Sequence, residues 1–400
     1  MDLSIFASLQ DELLMGVNGV IANPLVMVMW AIGALLIYLA VWKDYEPTLL
    51  LPMGVGAIIA NIPGSIAAIA VVHDSGQAEV GWLRLLYDLG IATELFPVLI
   101  FIAIGAMCDF GPLMQNPKVM LFAAAAQFGI FATAVAAAAL GFSIWESAAI
   151  GIIGAADGPS TIFVGNKFAK NMIAPLSVAA YCYMALVPVI QPPVIKAITS
   201  SEERKIRMDF TEQAPISQRA KFIFPIMIIM VAGIIAPISV ALIGALMFGN
   251  ILKESNVVPS LARCAEGELS NLVTLFLGIT VGATMTVGDF LTVDVIKIMA
   301  LGAVAFVFDT VGGVLFAKVM NLFSKEKVNP MIGACGISAF PMSGRVIAKM
   351  ALKEDPTNFI IQQAIGVNVA GQVASVVAAG VVLALVPALA KMFGFAGPLM

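Results

Sequence analysis

The sequence predicts an all-α polytopic membrane protein with about ten or eleven spans, built as two inverted repeats that contain two discontinuous helices. Three observations support this fold class. The chain of 400 residues is 60% hydrophobic and only 12% charged, whereas soluble domains carry roughly 25% charged residues. Apolar runs of about 20 residues, long enough to cross a bilayer, recur along the chain. Finally, similar motifs occur in its two halves, on either side of the longest polar stretch.

The predicted spans follow from the positions of the apolar runs. Long runs cover residues 20–42, 85–107, 118–141, 172–197, 222–248, 269–287, 291–317 and 358–392. Three more apolar runs are interrupted by glycine or proline, which break helices, at 49–72, 146–166 and 329–350. The resulting domains are an N-terminal span in 1–44, a first repeat in 45–198 with a broken helix at 151–165, a cytoplasmic loop at 199–221, and a second repeat in 222–400 with a broken helix at 329–345.

The segment from Lys196 to Lys221, which contains the loop between the repeats, carries the richest group of basic residues. They are Lys196, Arg204, Lys205, Arg207, Arg219 and Lys221. Basic loops remain on the cytoplasmic side of a membrane. This bias places the loop in the cytoplasm and the chain in the cell membrane.

The two halves share motifs at a constant offset. Glu94-Leu95 and the following apolar run resemble Glu268-Leu269 and its run, and IGAADGPS from Ile153 resembles IGACGIS from Ile332. The offsets are 174 residues from Glu94 to Glu268 and 179 from Ile153 to Ile332, both close to 178, which favours repeats meeting at a midplane site. An odd number of spans in each repeat would invert one relative to the other. The alternative is that glycine- and alanine-rich helices look alike by composition.

Composition excludes several other classes. A net charge of -4 argues against a nucleic-acid partner. The single histidine, His73, excludes a histidine-rich metal cluster, and the four cysteines lack the spacing of a disulfide framework or zinc site. The sequence has no P-loop for ATP.

The first break contains an aspartate within an apolar run, in GIIGAADGPSTIFVG from Gly151 to Gly165. A carboxylate at mid-membrane costs at least about 2.5–3.5 kcal/mol, so it needs a partner, often a cation. The glycine and proline after Asp157 end the helix and free carbonyls beside the carboxylate. With the Ser160 or Thr161 hydroxyl these oxygens suit a hard cation. The alternative is that Asp157 caps the following half-helix, and both roles are compatible.

The second break, NPMIGACGISAFPMSGR, runs from Asn329 to Arg345. Its neutral oxygens include the side chains of Asn329 and Ser338 and carbonyls near Gly333. One carboxylate with neutral oxygens favours Na+ over a divalent cation. Arg345 lies near a helix end, where it either snorkels or binds an anionic group bidentately.

Other polar residues lie inside apolar runs. They are Tyr181, Tyr183, Asn368, Gln372 and Asp309. Tyrosines near span ends usually belong to an interfacial belt. Asn368 suits helix packing between small residues. Asp309 is a second candidate buried carboxylate, or a residue at the edge of a cavity.

Several long motifs now permit a comparison with a known family. GIIGAADGPSTIFV, AYCYMALVPVIQPPV followed by ERKIRM, and NPMIGACGISAFPMSGRV resemble the membrane β subunit of the Na+-translocating carboxylic acid decarboxylases. This family includes the oxaloacetate, methylmalonyl-CoA, glutaconyl-CoA and malonate enzymes. Similarity in LLLPMGVGAIIANIP and ELFPVLIFIAIGAMCDFGPL extends the resemblance over nearly the whole chain.

The resemblance implies a membrane subunit of a biotin-dependent decarboxylase sodium pump. A soluble carboxyltransferase subunit would move CO2 from the substrate to biotin on a carrier protein. The β subunit would decarboxylate this carboxybiotin and couple the reaction to Na+ export, with consumption of a proton; biotin is not attached to this chain. The resemblance further implies two kinds of partner, a small single-span γ/δ-type subunit and more than one β copy. It also implies that this chain consists of a scaffold and a mobile, elevator-like core that holds the broken helices.

The resemblance also assigns residues. The essential aspartate of the family falls on Asp157 and its tyrosine on Tyr183. The asparagine, glycine, serine and arginine of the family's second motif fall on Asn329, Gly333, Ser338 and Arg345. A further asparagine, which is linked to the ion, falls on Asn368. We expect Arg345 to dock carboxybiotin, and Na+ to displace a proton from Asp157 that passes through Tyr183.

Two features depart from the family pattern, and one other class remains open. The chain is shorter than the oxaloacetate-type members, which favours a CoA-ester decarboxylase. Asp309 lies where a small or neutral residue is expected. The alternative function is a Na+-coupled secondary carboxylate transporter of similar architecture, which would need no biotin partner.

Overall fold

The computed structural model describes residues 14–65, 67, 70–72, 78–208, 216–235, 237–395 and 397. His73 and residues 209–215 of the predicted cytoplasmic loop lie outside this part. The chain forms two units, one of Met1–Phe96 with Asn271–Ile296, the other of Pro97–Ser270 with Lys297–Met400. The second unit contains both predicted breaks and every predicted site residue.

The described residues are almost entirely helical, as the sequence predicts. The helices of the first half are 14–22, Val26–Lys43, Pro47–Ala60, Trp82–Leu86, Leu95–Met107, Gly111–Gln115, Val119–Ala126, Phe128–Ala139, Ile144–Ile152, Gly158–Phe168, Ile173–Ala185, Val187–Ile198 and Ser201–Arg204. Those of the second half are Gln218–Ile235, Val240–Ser255, Pro259–Cys264, Ser270–Ala283, Val287–Phe290, Val293–Phe323, Met342–Glu354 and Ile361–Phe393.

The other regular elements are short. The 3-10 helices are Ile153–Ala155, Lys170–Met172, Pro237–Ser239 and Pro330–Gly336, and the π-helices are Tyr87–Ile91 and Ala265–Leu269. Two antiparallel strands, Ala70–Val72 and Ala78–Val80, pair with Ala70 opposite Val80.

Among the described residues, six helices are long and apolar enough to cross a membrane, and the number is eight if each of two bent pairs is one span. The six are Val26–Lys43, Val119–Ala139, Pro237–Ser255, Pro259–Ala283, Val293–Phe323 and Ile361–Phe393. The bent pairs are Trp82–Ile91 with Leu95–Met107, at 64°, and Lys170–Ala185 with Val187–Ile198, at 67°. The predicted count of ten or eleven is not confirmed, because glycine and proline divide several apolar runs into pieces too short to span alone.

Each unit contains a helix pair that packs through glycine. In the first unit a Cβ on Gly56 would strike the Ile279 carbonyl, and Asn61 donates to the Met285 carbonyl at 2.6 Å. The absence of side chains at such contacts lets helix backbones approach closely.

The second unit contains a similar pair. A Cβ on Gly249 would strike the Ile102 carbonyl, and Asn250 donates to the carbonyls of Gly105 at 3.3 Å and Cys108 at 3.1 Å. In both pairs an asparagine satisfies carbonyls at the end of the partner helix.

Candidate ion site

The helix that starts at Ile144 is interrupted within the predicted segment 151–165. It gives way to the 3-10 turn Ile153–Ala155, and Ala156 takes a left-handed conformation with φ 51°. Asp157 then caps the half-helix Gly158–Phe168, because its Oδ1 accepts the Ser160 amide at 3.1 Å. Pro159 lies in the first turn, where backbone amides have no partner within the helix. Its lack of an amide hydrogen therefore costs no helical hydrogen bond.

The second break begins at Asn329, whose side chain caps the 3-10 helix Pro330–Gly336 by accepting the Met331 amide at 3.1 Å. The chain is extended at Ile337 and returns to a helix at Met342. The two breaks meet directly, since the Ser338 amide donates to the Ala155 carbonyl at 2.9 Å.

This meeting point gathers one carboxylate and three hydroxyls. The Asp157 Oδ2 atom accepts hydrogen bonds from Ser160 at 2.7 Å, Ser375 at 3.1 Å and Ser338 at 3.3 Å. The hydroxyls of Ser338 and Ser375 also lie 2.9 Å apart. We name Asp157, Ser160, Ser338 and Ser375 the carboxylate cluster; Asp157 is 4% exposed.

The carboxylate cluster contains no basic side chain. Among the described residues Asp157 forms no ion pair, and its partners are hydroxyls and one amide. Hydroxyl oxygens that rotate their hydrogens away become ligands for a cation, and hydroxyls that point inward stabilise the anion. The cluster can therefore accept either a proton or a monovalent cation as the countercharge that a buried carboxylate requires.

Side-chain amides bind the carbonyls of the second break. Gln191 donates to the Ala334 carbonyl at 2.8 Å, and Gln127 donates to the Gly336 carbonyl at 3.0 Å. Asn368 donates to the Cys335 and Ile337 carbonyls at 3.1 and 2.8 Å, and Gln372 donates to Ser338. A buried carbonyl outside regular helix needs such a donor.

In the second break, side-chain donors bind the carbonyls from Ala334 to Ser338, and a carbonyl oxygen carries two lone pairs. The amide oxygens of Gln127 and Asn368 are buried and accept no hydrogen bond from a described residue. The candidate ligand Asn368 thus lies at the second break with an oxygen available.

Asn329 and Gly333 lie in the second break but outside the hydrogen bonds of the carboxylate cluster. The Asn329 amide donates to the Arg204 and Ile206 carbonyls at 2.8 and 2.9 Å, which ties the break to the loop after Ser200. Gly333 packs against Gly313, since a Cβ on either would strike the carbonyl of the other.

Tyr183 and Arg345 are also separate from the carboxylate cluster. The Tyr183 hydroxyl donates to the Met299 carbonyl, and Arg345 is exposed, with no ion pair to a described residue. Tyr181 lies closer to the first break, because a Cβ on Gly158 would strike its ring. Its buried hydroxyl has no hydrogen-bond partner among the described residues.

Sequence reasoning missed Ser375, Gln127 and Gln191. Each is a polar side chain inside an apolar run, the signal that had already marked Asn368 and Gln372. Buried polar residues at membrane depth deserve a functional interpretation as a class, and serine and glutamine belong to that class as much as aspartate does.

An ionic anchor holds the loop near the second break. Arg204 binds Glu354 at 2.7 Å, and Arg207 binds Asp355 at 2.7 Å. The hydrogen bond from Arg204 lowers the pKa of Glu354. Hydrogen bonds from Thr357, followed by the one from Arg207, lower the pKa of Asp355 to about 2.

Comparison with known proteins gives the family. A family model described as the Na+-transporting oxaloacetate decarboxylase beta subunit matches residues 25–386. The methylmalonyl-CoA decarboxylase subunit beta of Propionigenium modestum is 46% identical over 374 residues, which cover 90% of this chain and 94% of the relative.

Two other relatives are named after different acid substrates. The glutaconyl-CoA decarboxylase subunit beta of Acidaminococcus fermentans is 44% identical, over 90% of this chain and 92% of the relative. The oxaloacetate decarboxylase beta chain 2 of Salmonella typhimurium is 41% identical, over 90% and 95%. With the membrane helices, these matches identify a multi-pass cell membrane protein that belongs to the family of Na+-transporting decarboxylase beta subunits.

Proposed function

We propose that the chain is the membrane subunit of a biotin-dependent decarboxylase sodium pump. It decarboxylates carboxybiotin and couples this reaction to Na+ export, with consumption of a proton. The supporting observation is the carboxylate cluster, in which a buried aspartate at the junction of two broken helices has hydroxyl partners but no basic partner. Membership of a Na+-transporting family agrees with such a site.

The cluster exchanges one monovalent cation for another. Na+ binds to Asp157 and the hydroxyl oxygens of Ser338 and Ser375, and it displaces the proton because a nearby cation favours the ionised carboxylate. Asn368 contributes its free amide oxygen from the second break. Release on the other side of the membrane reverses the exchange, and different affinities in the two states drive transport.

Asn329 and Gly333 contribute to the Na+ path through the second break. Their observed contacts support a positioning role: Asn329 fixes the start of the 3-10 helix, and Gly333 allows the backbone to pack against Gly313. A carbonyl of the 3-10 helix can still offer a second lone pair to an ion.

Arg345 docks the carboxybiotin carboxylate, and Tyr183 relays the proton. The exposure of Arg345 supports docking, since a guanidinium without an ion pair can bind a carboxylate bidentately. Tyr183 is almost buried, and its hydroxyl must leave the Met299 carbonyl before it can pass on a proton.

The architecture is proposed as ten or eleven spans in two inverted repeats, 45–198 and 222–400, with an elevator-like mobile core. Two observations support the repeat. The π-helices Tyr87–Ile91 and Ala265–Leu269 begin 178 residues apart, at 87 and 265, which is close to the offsets of the sequence motifs. The paired asparagine and glycine contacts described above also occur once in each unit.

The partners are a soluble carboxyltransferase subunit, a biotin carrier protein and a small single-span γ/δ-type subunit, with more than one copy of this chain. The relatives are named as subunits or chains of larger enzymes, which supports a complex. A CoA ester is the favoured substrate of the whole enzyme, and the soluble partner selects it.

One experiment separates this function from a Na+-coupled carboxylate transporter. The whole complex is placed in sealed vesicles, its acid substrate is supplied, and Na+ uptake is followed with and without avidin, which sequesters biotin. The pump predicts substrate-dependent Na+ uptake that avidin abolishes. Uptake of Na+ with an intact carboxylate, unaffected by avidin, would establish the transporter instead.

A further inference from the structure

Asp309 is a second carboxylate at membrane depth. It lies within the helix Val293–Phe323, which is a candidate span, and its side chain has no exposed surface. Neither of its oxygens closes a hydrogen bond with a described residue. An isolated buried charge is costly, so this group requires either a proton or donors that approach it.

Two glycines make the room that this carboxylate occupies. A Cβ on Gly129 would strike its Oδ1 atom, and a Cβ on Gly154 would lie 2.6 Å from its Oδ2 atom. Gly154 belongs to the 3-10 turn of the first break. Asp309 therefore contacts the turn that leads to Asp157 without sharing a hydrogen bond with the carboxylate cluster.

The surroundings of Asp309 offer a partner to each protonation state. The backbone amides of Gly129 and Ile130, in the first turn of Phe128–Ala139, face the carboxylate without closing hydrogen bonds. They would stabilise the anion, as the start of a 12-residue helix does. The Ala305 carbonyl, which adjoins Gly129 at the same point, can accept a hydrogen bond from the neutral acid.

The same surroundings favour H+ over Na+. The polar groups that these contacts place beside Asp309 are two N–H donors and one carbonyl, whereas Na+ requires several oxygen ligands. The touching segments, Phe128–Ala139 and Ile153–Ala155, contain no titratable side chain. Asp157, two residues beyond the turn, is the next ionisable group on that side, and Asp309 belongs to no group of metal-binding side chains among the described residues.

We propose that Asp309 is a second exchangeable proton site, which takes up H+ in one state of the transport cycle and releases it in another. On uptake, an O–H bond forms at the carboxyl group and donates to the Ala305 carbonyl. On release, the proton leaves to water and the two amides close onto the anion. The proposal rests on the proposed pump function and adds one proton per turnover to the Na+/H+ exchange at Asp157.

The test compares whole complexes in sealed vesicles. Na+ moved, protons moved and CO2 released are measured together for the unaltered chain, Asp309→Asn and Thr310→Val. Thr310 is the matched control, because it is the buried neighbour, does not titrate, and donates only to the Phe306 carbonyl at 3.0 Å. We expect the ratio of protons to CO2 to fall by one in Asp309→Asn and to stay unchanged in Thr310→Val.

An infrared measurement does not depend on turnover. In the Asp157→Asn complex, a carboxylic-acid C=O band should persist, and adding Asp309→Asn should remove it while Thr310→Val should not. An unchanged proton ratio in Asp309→Asn, or no acid band in Asp157→Asn alone, overturns the proposal. A failed pump would instead appear as missing Na+-coupled decarboxylation in the unaltered complex.

Discussion

The buried Asp157 carboxylate accepts hydrogen bonds from hydroxyls on three separate segments. Ser160 belongs to its own half-helix, Ser338 to the second break and Ser375 to the long helix Ile361–Phe393. A structural cap would need only the Ser160 amide. The additional hydroxyls from distant segments agree with the proposed exchange of H+ for Na+ at this carboxylate.

Replacing each serine by alanine tests what its hydroxyl oxygen contributes to the ion site. We expect Ser338→Ala and Ser375→Ala each to weaken Na+ activation of decarboxylation by roughly tenfold, since a lost hydrogen bond or ligand costs about 1–1.5 kcal/mol. The measurement is the Na+ concentration for half-maximal rate in the purified complex.

Ser177→Ala is the control for these variants. Ser177 is equally buried on the helix Ile173–Ala185, and its hydroxyl has no described partner. A similar rise in the Na+ requirement for Ser177→Ala, or none for both cluster serines, would contradict the ion-site account.

The residue types near the site explain what the sequence could predict. Asp157 was identifiable because a charge within an apolar run is costly, and Ser338 because the second break repeats the motif of the first. Ser375 and Gln191 lie inside apolar runs as Asn368 and Gln372 do, but the sequence does not show which residues they contact. Only the packing of distant segments brings Ser375 to Asp157 and Gln191 to the Ala334 carbonyl.

The second break depends on close backbone packing as well as on donors. We expect Gly333→Ala to destabilise the protein by about 1–3 kcal/mol, because the new methyl group would strike the Gly313 carbonyl. Gly165→Ala is the matched control, since its methyl group would meet only side chains, Leu176 at 3.3 Å and Ile173 at 3.9 Å. Thermal unfolding of the purified complex measures both, and equal losses would contradict this packing argument.

The ion pairs of Arg204 with Glu354 and of Arg207 with Asp355 predict that the stability of the protein depends on pH. Glu354 has a lowered pKa in the folded state, so its contribution to stability is present above its unfolded pKa of about 4.3. This contribution is lost as the pH falls through the folded pKa. We expect Glu354→Gln to lower the melting temperature at pH 7 by a few degrees. We also expect the melting temperature of this variant to fall less steeply below about pH 4.3 than that of the unaltered protein.

The exposed Glu202, on the short helix Ser201–Arg204 that carries Arg204, supplies the control. Glu202→Gln should leave both the melting temperature at pH 7 and the acid-dependent fall unchanged. If Glu354→Gln behaves like Glu202→Gln in melting curves from pH 7 to pH 3, the anchor contributes nothing to stability.

At the scale of the whole molecule, the sequence predicted the helical class and the approximate position of the chain breaks. It did so because hydrophobicity and Gly-Pro pairs act locally. It could not predict the two discontinuous units, since residues 271–296 join the N-terminal unit only through tertiary packing. The predicted count of ten or eleven spans is not confirmed, because short apolar helices such as Pro47–Ala60 cannot be counted as spans from length alone.

The most direct measurement of the central claim is Na+ binding by calorimetry, in buffers with different protonation enthalpies, for the purified complex and its Asp157→Asn variant. Exchange at the carboxylate cluster predicts that Na+ binding releases protons in the unaltered complex, and that both the tight binding and the release are lost in Asp157→Asn. Na+ binding without proton release, or unchanged affinity in Asp157→Asn, would contradict the account.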